Sequence, residues 1–182
     1  MEESQRTRLL KKLIELGCYK EGKFTLKSGR ESSYYIDLRC LVSYPEVLKE
    51  VSALIYNKIK DTPGLICGLP YAGIPYAMTL SAIYNIPSVL LRKERKSYGT
   101  GKIVEGNYKL CDKLIIIDDI LTTGQSIQES MKYLADFHIQ KIIVIIDREE
   151  SDSILESPME SIFTLTELKE VYSTMKNPEW IS

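Results

Sequence analysis

Two adjacent acids, Asp118 and Asp119, close the apolar run Lys113-Leu114-Ile115-Ile116-Ile117 and lead through Ile120-Leu121 into Thr122-Thr123-Gly124-Gln125-Ser126. Hydroxyl side chains and a glycine ahead of a helix expose backbone N–H groups, an arrangement that suits a phosphate. A pair of carboxylates suits sugar hydroxyls, a Mg²⁺ ion, or positive charge that develops in a transition state. After the run Ser88-Val89-Leu90-Leu91, residues 92–106 carry five basic and two acidic side chains, a local charge of +3, together with three glycines. A third stretch, Gly68-Leu69-Pro70-Tyr71-Ala72-Gly73-Ile74-Pro75, is a Gly/Pro-rich turn after Leu65-Ile66-Cys67; such a turn lets backbone approach a ligand closely. Asp147-Arg148-Glu149 ends a fourth run, Ile142–Ile146. Plainer readings exist: acids beside a helix start can simply favour its dipole, and a charge run is usually a solvated loop. The contiguity of apolar run, acids and Thr-Thr-Gly turn sets the first stretch apart.

Other residues narrow the chemistry. The 182-residue chain has 24 Lys+Arg against 25 Asp+Glu, a formal charge of −1, which argues against nucleic-acid binding through a bulk positive field. His138 is the sole histidine, which argues against a Ser-His-Asp hydrolase and against a metal site built on two or more histidines; it reads as a structural or surface residue. Cys18, Cys40, Cys67 and Cys111 form no Cys-x-x-Cys pair and read as inert buried thiols of a reducing cytosol. No apolar run nears the ~18 residues of a membrane span, and the polar start Met1-Glu2-Glu3-Ser4 does not look like a signal peptide. The expected compartment is the cytoplasm. The 12 tyrosines and Trp180 read as core, surface or interface packing.

The elements that must hold these stretches follow from periodicity. Leu9/Leu10, Leu13 and Ile14 with Gly17 as a stop predict a helix over about residues 4–16. Residues 23–30 and 33–38 predict strand, turn and strand around Lys27-Ser28-Gly29. Pro45 opens a helix carrying Val47, Leu48, Val51, Leu54 and Ile55. The four apolar runs lack alternation, as strands buried on both faces do, and helical stretches fall between them at about 73–84 and 125–137. Residues 161–165 and 167–175 predict an edge strand and a last helix. The expectation is one α/β domain, residues 1–182. It has a doubly wound, mainly parallel central sheet flanked by helices over 41–182 and a small N-terminal hood over 1–40. Ligands of such sheets bind beyond the carboxyl ends of the strands, where all the stretches above lie.

Ile116-Ile117-Asp118-Asp119-Ile120-Leu121-Thr122-Thr123-Gly124-Gln125-Ser126 resembles the phosphoribosyl pyrophosphate (PRPP) motif of type I phosphoribosyltransferases. It is not a Walker loop, since Gly99-Thr100-Gly101-Lys102 is followed by Ile103. Arg92-Lys93 with Lys96 and the Gly-rich stretch ending Glu105-Gly106 is similar to the catalytic loop of orotate phosphoribosyltransferases. Phe24-Thr25-Leu26-Lys27-Ser28-Gly29 with Ser33–Asp37 is similar to their pyrimidine-side signature, and Asp147-Arg148-Glu149 to the segment of their orotate-contacting arginine. These four signatures cover about residues 20–150.

The resemblance implies transfer of ribose 5-phosphate from PRPP to orotate, giving orotidine 5′-monophosphate and pyrophosphate in pyrimidine biosynthesis. It implies Mg²⁺ carried by PRPP without a dedicated set of protein ligands. It also implies a homodimer in which the Lys96 loop closes over the neighbouring subunit's site. Lys96, Asp118 and Asp119 are then catalytic. PRPP meets Lys27, Tyr71, Ala72, Arg92, Lys93, Lys96, Tyr98, Asp118, Asp119, Ile120, Leu121, Thr122, Thr123, Gly124, Gln125 and Ser126; orotate meets Lys27, Tyr35, Ile36, Thr122 and Arg148. No nucleic acid and no membrane is implied. Two positions depart from bacterial relatives, which often carry a lysine at Ala72 and a histidine at Tyr98. A transferase for a purine or uracil, and a non-catalytic PRPP sensor, are the alternatives. Lys27, the Arg92–Lys96 cations and Arg148 favour orotate over the first. Retention of those cations, with no room for a DNA-binding domain, disfavours the second.

Overall fold

The structure, a computed structural model, describes residues 4–25, 29, 31–94, 102–151 and 157–176. Helix α1 (Gln5–Glu15) starts where the Ser4 side chain accepts from the Thr7 N–H, satisfying one of the unpaired amides of the first turn. Its buried stripe is Leu9, Leu10 and Leu13. Strands β1 (Tyr19–Thr25) and β2 (Glu31–Ile36) form a separate antiparallel hairpin. A short 3₁₀ turn (Arg39–Ser43) then leads into α2 (Pro45–Ile59), which has its proline in the first turn.

The main sheet comprises β3 (Leu65–Gly68), β4 (Ser88–Leu91), β5 (Val104–Glu105), β6 (Lys113–Leu121), β7 (His138–Asp147) and β8 (Met159–Thr164), in spatial order β5-β4-β3-β6-β7-β8. Every neighbouring pair is parallel except β4–β5. Helices α3 (Gly73–Tyr84), α4 (Gln125–Met131) and α5 (Leu165–Lys176) complete the chain. The sheet splits the interior into two apolar clusters. Ile115, Ile117 and Ile143 pack with α1, α2, α3, α5 and the hairpin. Leu114, Ile116 and Ile142 pack with Ile127 of α4 and with Leu134 and Phe137. Strands covered on both faces need apolar side chains at every position, which is why the runs of β3, β6 and β7 do not alternate; β4 is apolar from Val89 to Leu91 although Leu90 faces out at 38% exposure. The expected doubly wound sheet with an N-terminal hood is the one observed, with β8 at an edge.

Five expectations need correction. The strand expected over Ile142–Ile146 runs from His138 to Asp147, and the hairpin strands expected within 23–30 and 33–38 lie at Tyr19–Thr25 and Glu31–Ile36. The helix expected over 125–137 ends at Met131. Beyond it Tyr133, Leu134 and Phe137 donate to carbonyls three residues back, those of Ser130, Met131 and Leu134. Successive tight turns thus bury Leu134 and Phe137 at the spacing that reads as helix. The strand expected to stop at Ile117 runs on to Leu121, with Asp118 paired to Val144 and Ile120 to Ile146, so the two acids belong to the strand itself. The cysteines are all free, but Cys111 is exposed and only Cys18 and Cys67 are buried. The two-residue strand β5 went unseen, because it lies in the charged stretch after β4. His138 is exposed at the start of β7, as expected of a residue without chemistry, and Trp180 lies outside the described residues. Among the described residues no helix is long and apolar enough to cross a membrane.

Candidate active site

The carboxyl ends of β3, β6 and β7 come together, and the turn after β3 is pressed against β6. The Leu69 N–H donates to the Ile117 carbonyl at 2.8 Å. A Cβ on Gly68 would stand 2.3 Å from the Gly73 oxygen, and one on Gly73 would stand 2.2 Å from the Ile117 oxygen. Only glycine permits that approach, so the turn sits directly against the residue that precedes Asp118. The Pro70–Tyr71 peptide in this turn is cis.

Asp118 is 7% exposed. Burial, and then the charge of Asp119, push its carboxyl up to about 7; burial also raises Asp119. Two carboxylates taken from water side by side resist joint ionisation. The strand compensates in part: Asp118 Oδ1 accepts from the Asp119 N–H at 3.0 Å and Asp119 Oδ1 from the Ile120 N–H at 2.8 Å. Alternation also changes phase here. Leu114 and Ile116 face one cluster and Ile115 and Ile117 the other, whereas Ile120 packs with the second and Leu121 with the first. The acids occupy that break.

Beyond Leu121 the chain turns through Thr122 and Thr123 to Gly124, whose φ of 76° lies in the left-handed region and which caps α4. Thr123 Oγ1 accepts from the Gln125 N–H at 3.4 Å, and the Gln125 side chain is drawn along the helix to Glu129 at 2.8 Å. The turn thus offers backbone N–H groups and the Thr122 and Thr123 hydroxyls, a set suited to an anion, while the Ser126 hydroxyl bonds Asp118. Leu121 contributes backbone only: its side chain is in the core and its carbonyl accepts from the Arg148 N–H at 3.0 Å.

A cavity of about 240 Å³ is lined by Ile36, Asp37, Arg39, Asp119, Ile120, Thr122 and Arg148. It brings one acid of the motif, the first threonine of its turn, the arginine after β7 and the end of the hairpin into one space. A second cavity, about 440 Å³, is lined by Pro70, Tyr71, Arg92 and Lys93 among others. There the Lys93 ammonium stands 5.6 Å over the Tyr71 ring, and Glu105 of β5 holds Arg92 Nε at 3.0 Å. Ala72 lies at a third, apolar space with Arg39 and Tyr76.

Tyr35 does not line the first cavity. Its ring stacks on Phe24 at 5.5 Å, and its hydroxyl accepts from Arg39 at 3.1 Å. Lys27, Lys96 and Tyr98 lie outside the described residues. Sequence reasoning missed Asp37 and Arg39. Asp37 takes the Arg39 guanidinium in two bonds of 2.7 Å, one at each carboxylate oxygen, and that guanidinium holds its carboxyl below the usual range. Their signal was position, one and three residues after β2. Sequence reasoning also missed Tyr34, inward-facing by the strand's alternation.

Among the described residues no three His, Cys, Asp or Glu side chains gather as a metal site would. Asp118 and Asp119 are nonetheless hard oxygen donors whose mutual repulsion a cation would relieve. They fit a divalent ion that takes most of its oxygens from a phosphorylated substrate.

Residues 41–170 match the phosphoribosyl transferase domain. An orotate phosphoribosyltransferase of Methanocaldococcus jannaschii is 34% identical over 93% of this chain and 98% of its own. This chain belongs to the orotate phosphoribosyltransferase family. Another member, from Methanosphaera stadtmanae, is 37% identical over 90% of this chain and 96% of its own. The crystal structure of the Aeropyrum pernix family member superposes with a TM-score of 0.79 at 29% identity, covering 91% and 98% of the two chains. Leishmania donovani UMP synthase superposes at 0.83 with 32% identity over 95% of this chain, which spans 39% of that longer protein. The parallel sheet and the small antiparallel hairpin are those of the family's fold.

Proposed function

We propose that this chain transfers the ribose 5-phosphate of PRPP to orotate, forming orotidine 5′-monophosphate and releasing pyrophosphate. The observation that carries this reading is the cavity shared by Asp119, Thr122 and Arg148. It offers a carboxylate, a hydroxyl at the mouth of an anion-binding turn and a guanidinium in one space, the three chemistries that a ribose, a phosphate and an anionic pyrimidine require. Membership of the orotate phosphoribosyltransferase family supports the same assignment.

In this reading the 5′-phosphate rests on the N–H groups of Thr122–Ser126 and the hydroxyls of Thr122 and Thr123. Asp118 and Asp119 hold the ribose hydroxyls. As the bond to pyrophosphate lengthens, the ribose gains oxocarbenium character, and the carboxylates beside it become more favourably placed than in the empty site. That difference between ground and transition state is what accelerates the reaction. Arg148 and Ile36 face the pyrimidine, where a guanidinium binds a carboxylate by charge-assisted hydrogen bonds; Lys27 and the Tyr35 backbone are assigned to the same side by motif position. Tyr71, Arg92 and Lys93 line the space proposed for pyrophosphate, and Lys96 and Tyr98 are assigned to it by motif position. Ala72 supplies no charge there, so the burden falls on Arg92, Lys93 and Lys96. Mg²⁺, when bound with PRPP, supplies charge neutralisation of the phosphate oxygens.

We further propose a cytoplasmic homodimer with the Lys96 loop shared between subunits. Its support is the family resemblance of that loop and the exposure of Val42, Tyr44, Tyr71 and Met78 around the 3₁₀ turn and α3. Loss of orotate absorbance on addition of PRPP and Mg²⁺ tests the activity. Turnover of a different base, or binding without turnover, would replace it by one of the two alternatives.

A further inference from the structure

Strand β2 has the burial order exposed, half-buried, exposed, buried, exposed, buried, which turns Tyr34 and Ile36 inward and Ser33 and Tyr35 outward. Period two along a strand makes this choice of face a matter of register, and the register is set by pairing of Tyr34 with Glu21 and Ile36 with Tyr19. The ring of Tyr34 therefore leaves the hairpin and enters the core domain. It stacks against Tyr19 of β1, the neighbouring strand of the hairpin, at 6.2 Å, and Tyr19 in turn meets Tyr172 of α5 edge-on at 4.9 Å. The Lys169 ammonium, also from α5, lies 4.8 Å from the centre of the Tyr34 ring, and the Arg148 guanidinium carbon 4.7 Å from it.

The phenol is the point of closest engagement. Tyr34 Oη accepts from Arg148 Nε at 3.1 Å and from Nη2 at 2.8 Å, and donates to Glu150 Oε1. Nη2 also reaches Glu150 Oε1 at 2.9 Å. Only 10% of the Arg148 side chain is exposed. A planar guanidinium held at Nε and Nη2 has its plane and rotation set, which leaves Nη1 as the nitrogen not used in these bonds. Tyr34 does not itself line the cavity in which Arg148 appears.

We propose that Tyr34 is a positioning residue for Arg148: its hydroxyl, carried into the core by the register of the N-terminal hairpin, orients the guanidinium toward the pyrimidine. The proposal rests on Arg148 facing orotate, as set out above. It makes seating of the hairpin and recognition of the base one event. A hairpin displaced from α5 leaves the guanidinium held at Nη2 by Glu150 alone, and the cavity then offers a cation whose direction is less fixed. Looser orientation weakens a directional hydrogen bond far more than it weakens a Coulomb attraction, so the loss falls on the base and not on PRPP.

Steady-state kinetics of Tyr34→Phe, Arg148→Ala and the double variant test this, with melting temperatures recorded for each. Tyr34→Phe keeps the ring and its stacking and removes only the hydroxyl. The expected result is a KM for orotate raised about tenfold, with the KM for PRPP and the turnover at saturating orotate changed less than about twofold. In the Arg148→Ala background the same change should add nothing, since nothing remains to orient. An unchanged KM for orotate in folded Tyr34→Phe, or effects that simply add in the double variant, would overturn the positioning role. An unchanged KM for orotate in folded Arg148→Ala would instead remove the reading of Arg148 on which it stands.

Discussion

Gly73 sits so tightly against strand β6 that a Cβ on it would stand 2.2 Å from the carbonyl oxygen of Ile117. Asp118 is the next residue along that strand. The turn proposed for pyrophosphate and the acids proposed for ribose are therefore positioned by one backbone-to-backbone contact. Gly73→Ala must push the two apart. Overpacking of this kind costs about 1–3 kcal/mol, and a fall in turnover beyond what the lost stability explains is expected. Thermal melting and kinetics below the melting range would separate the two effects.

The buried acids make stability pH-dependent in an unusual direction. Asp118 has an ordinary value of 3.8 and is pushed up to about 7 in the fold. Between those values the folded state binds more protons than the unfolded one, so stability falls as pH rises from about 4 to about 7. Asp119 is raised too and adds to the same trend. Asp118→Asn cannot ionise. It is expected to flatten the melting-temperature profile across this window, to melt higher than the parent at pH 7, and to lose activity. A parent profile that rises across the window would refute this.

Arg39, the first residue of the 3₁₀ turn, is held by Asp37 and lines the same cavity as Arg148. Its charge also lowers the proton affinity of Asp119. Arg39→Ala is expected to raise the KM of a substrate about tenfold, the scale of one lost charge-assisted contact, and to shift the acidic limb of the rate profile upward. Equal pH profiles in parent and variant would show that Arg39 does not act on Asp119.

Lys96 is one of the three cations, with Arg92 and Lys93, proposed to meet pyrophosphate. Lys96→Ala is expected to lower turnover by about 10²-fold or more, the range for loss of a preorganised electrostatic donor. Near-normal turnover at saturating PRPP would remove Lys96 from the reaction.

What could be read from the chain depended on how local the cause was. Helix α3 appears over 73–84 as expected, and the motif from Asp118 to Ser126 was legible because acids, turn and helix start are contiguous. The end of α4 was not, because tight turns place Leu134 and Phe137 at helical spacing. The end of β6 was not, because Asp118 and Asp119 interrupt the apolar run that marks a strand. Arg39 and Tyr34 escaped for a different reason. Their roles are set by which face of the hairpin turns toward α5 and β7, a choice made by pairing between β1 and β2 and by packing across more than 100 residues of chain, as the Tyr34–Arg148 separation of 114 shows. Neither appears in the spacing of nearby residues.

The measurement that bears most directly on function is kcat/KM for orotate against uracil and hypoxanthine, with PRPP and Mg²⁺ held constant. The expected result is conversion of orotate to orotidine 5′-monophosphate with at least ~10²-fold preference over either competitor, because neither competitor carries the carboxylate that a guanidinium binds by charge-assisted hydrogen bonds. Untouched orotate alongside turnover of uracil or hypoxanthine would contradict it.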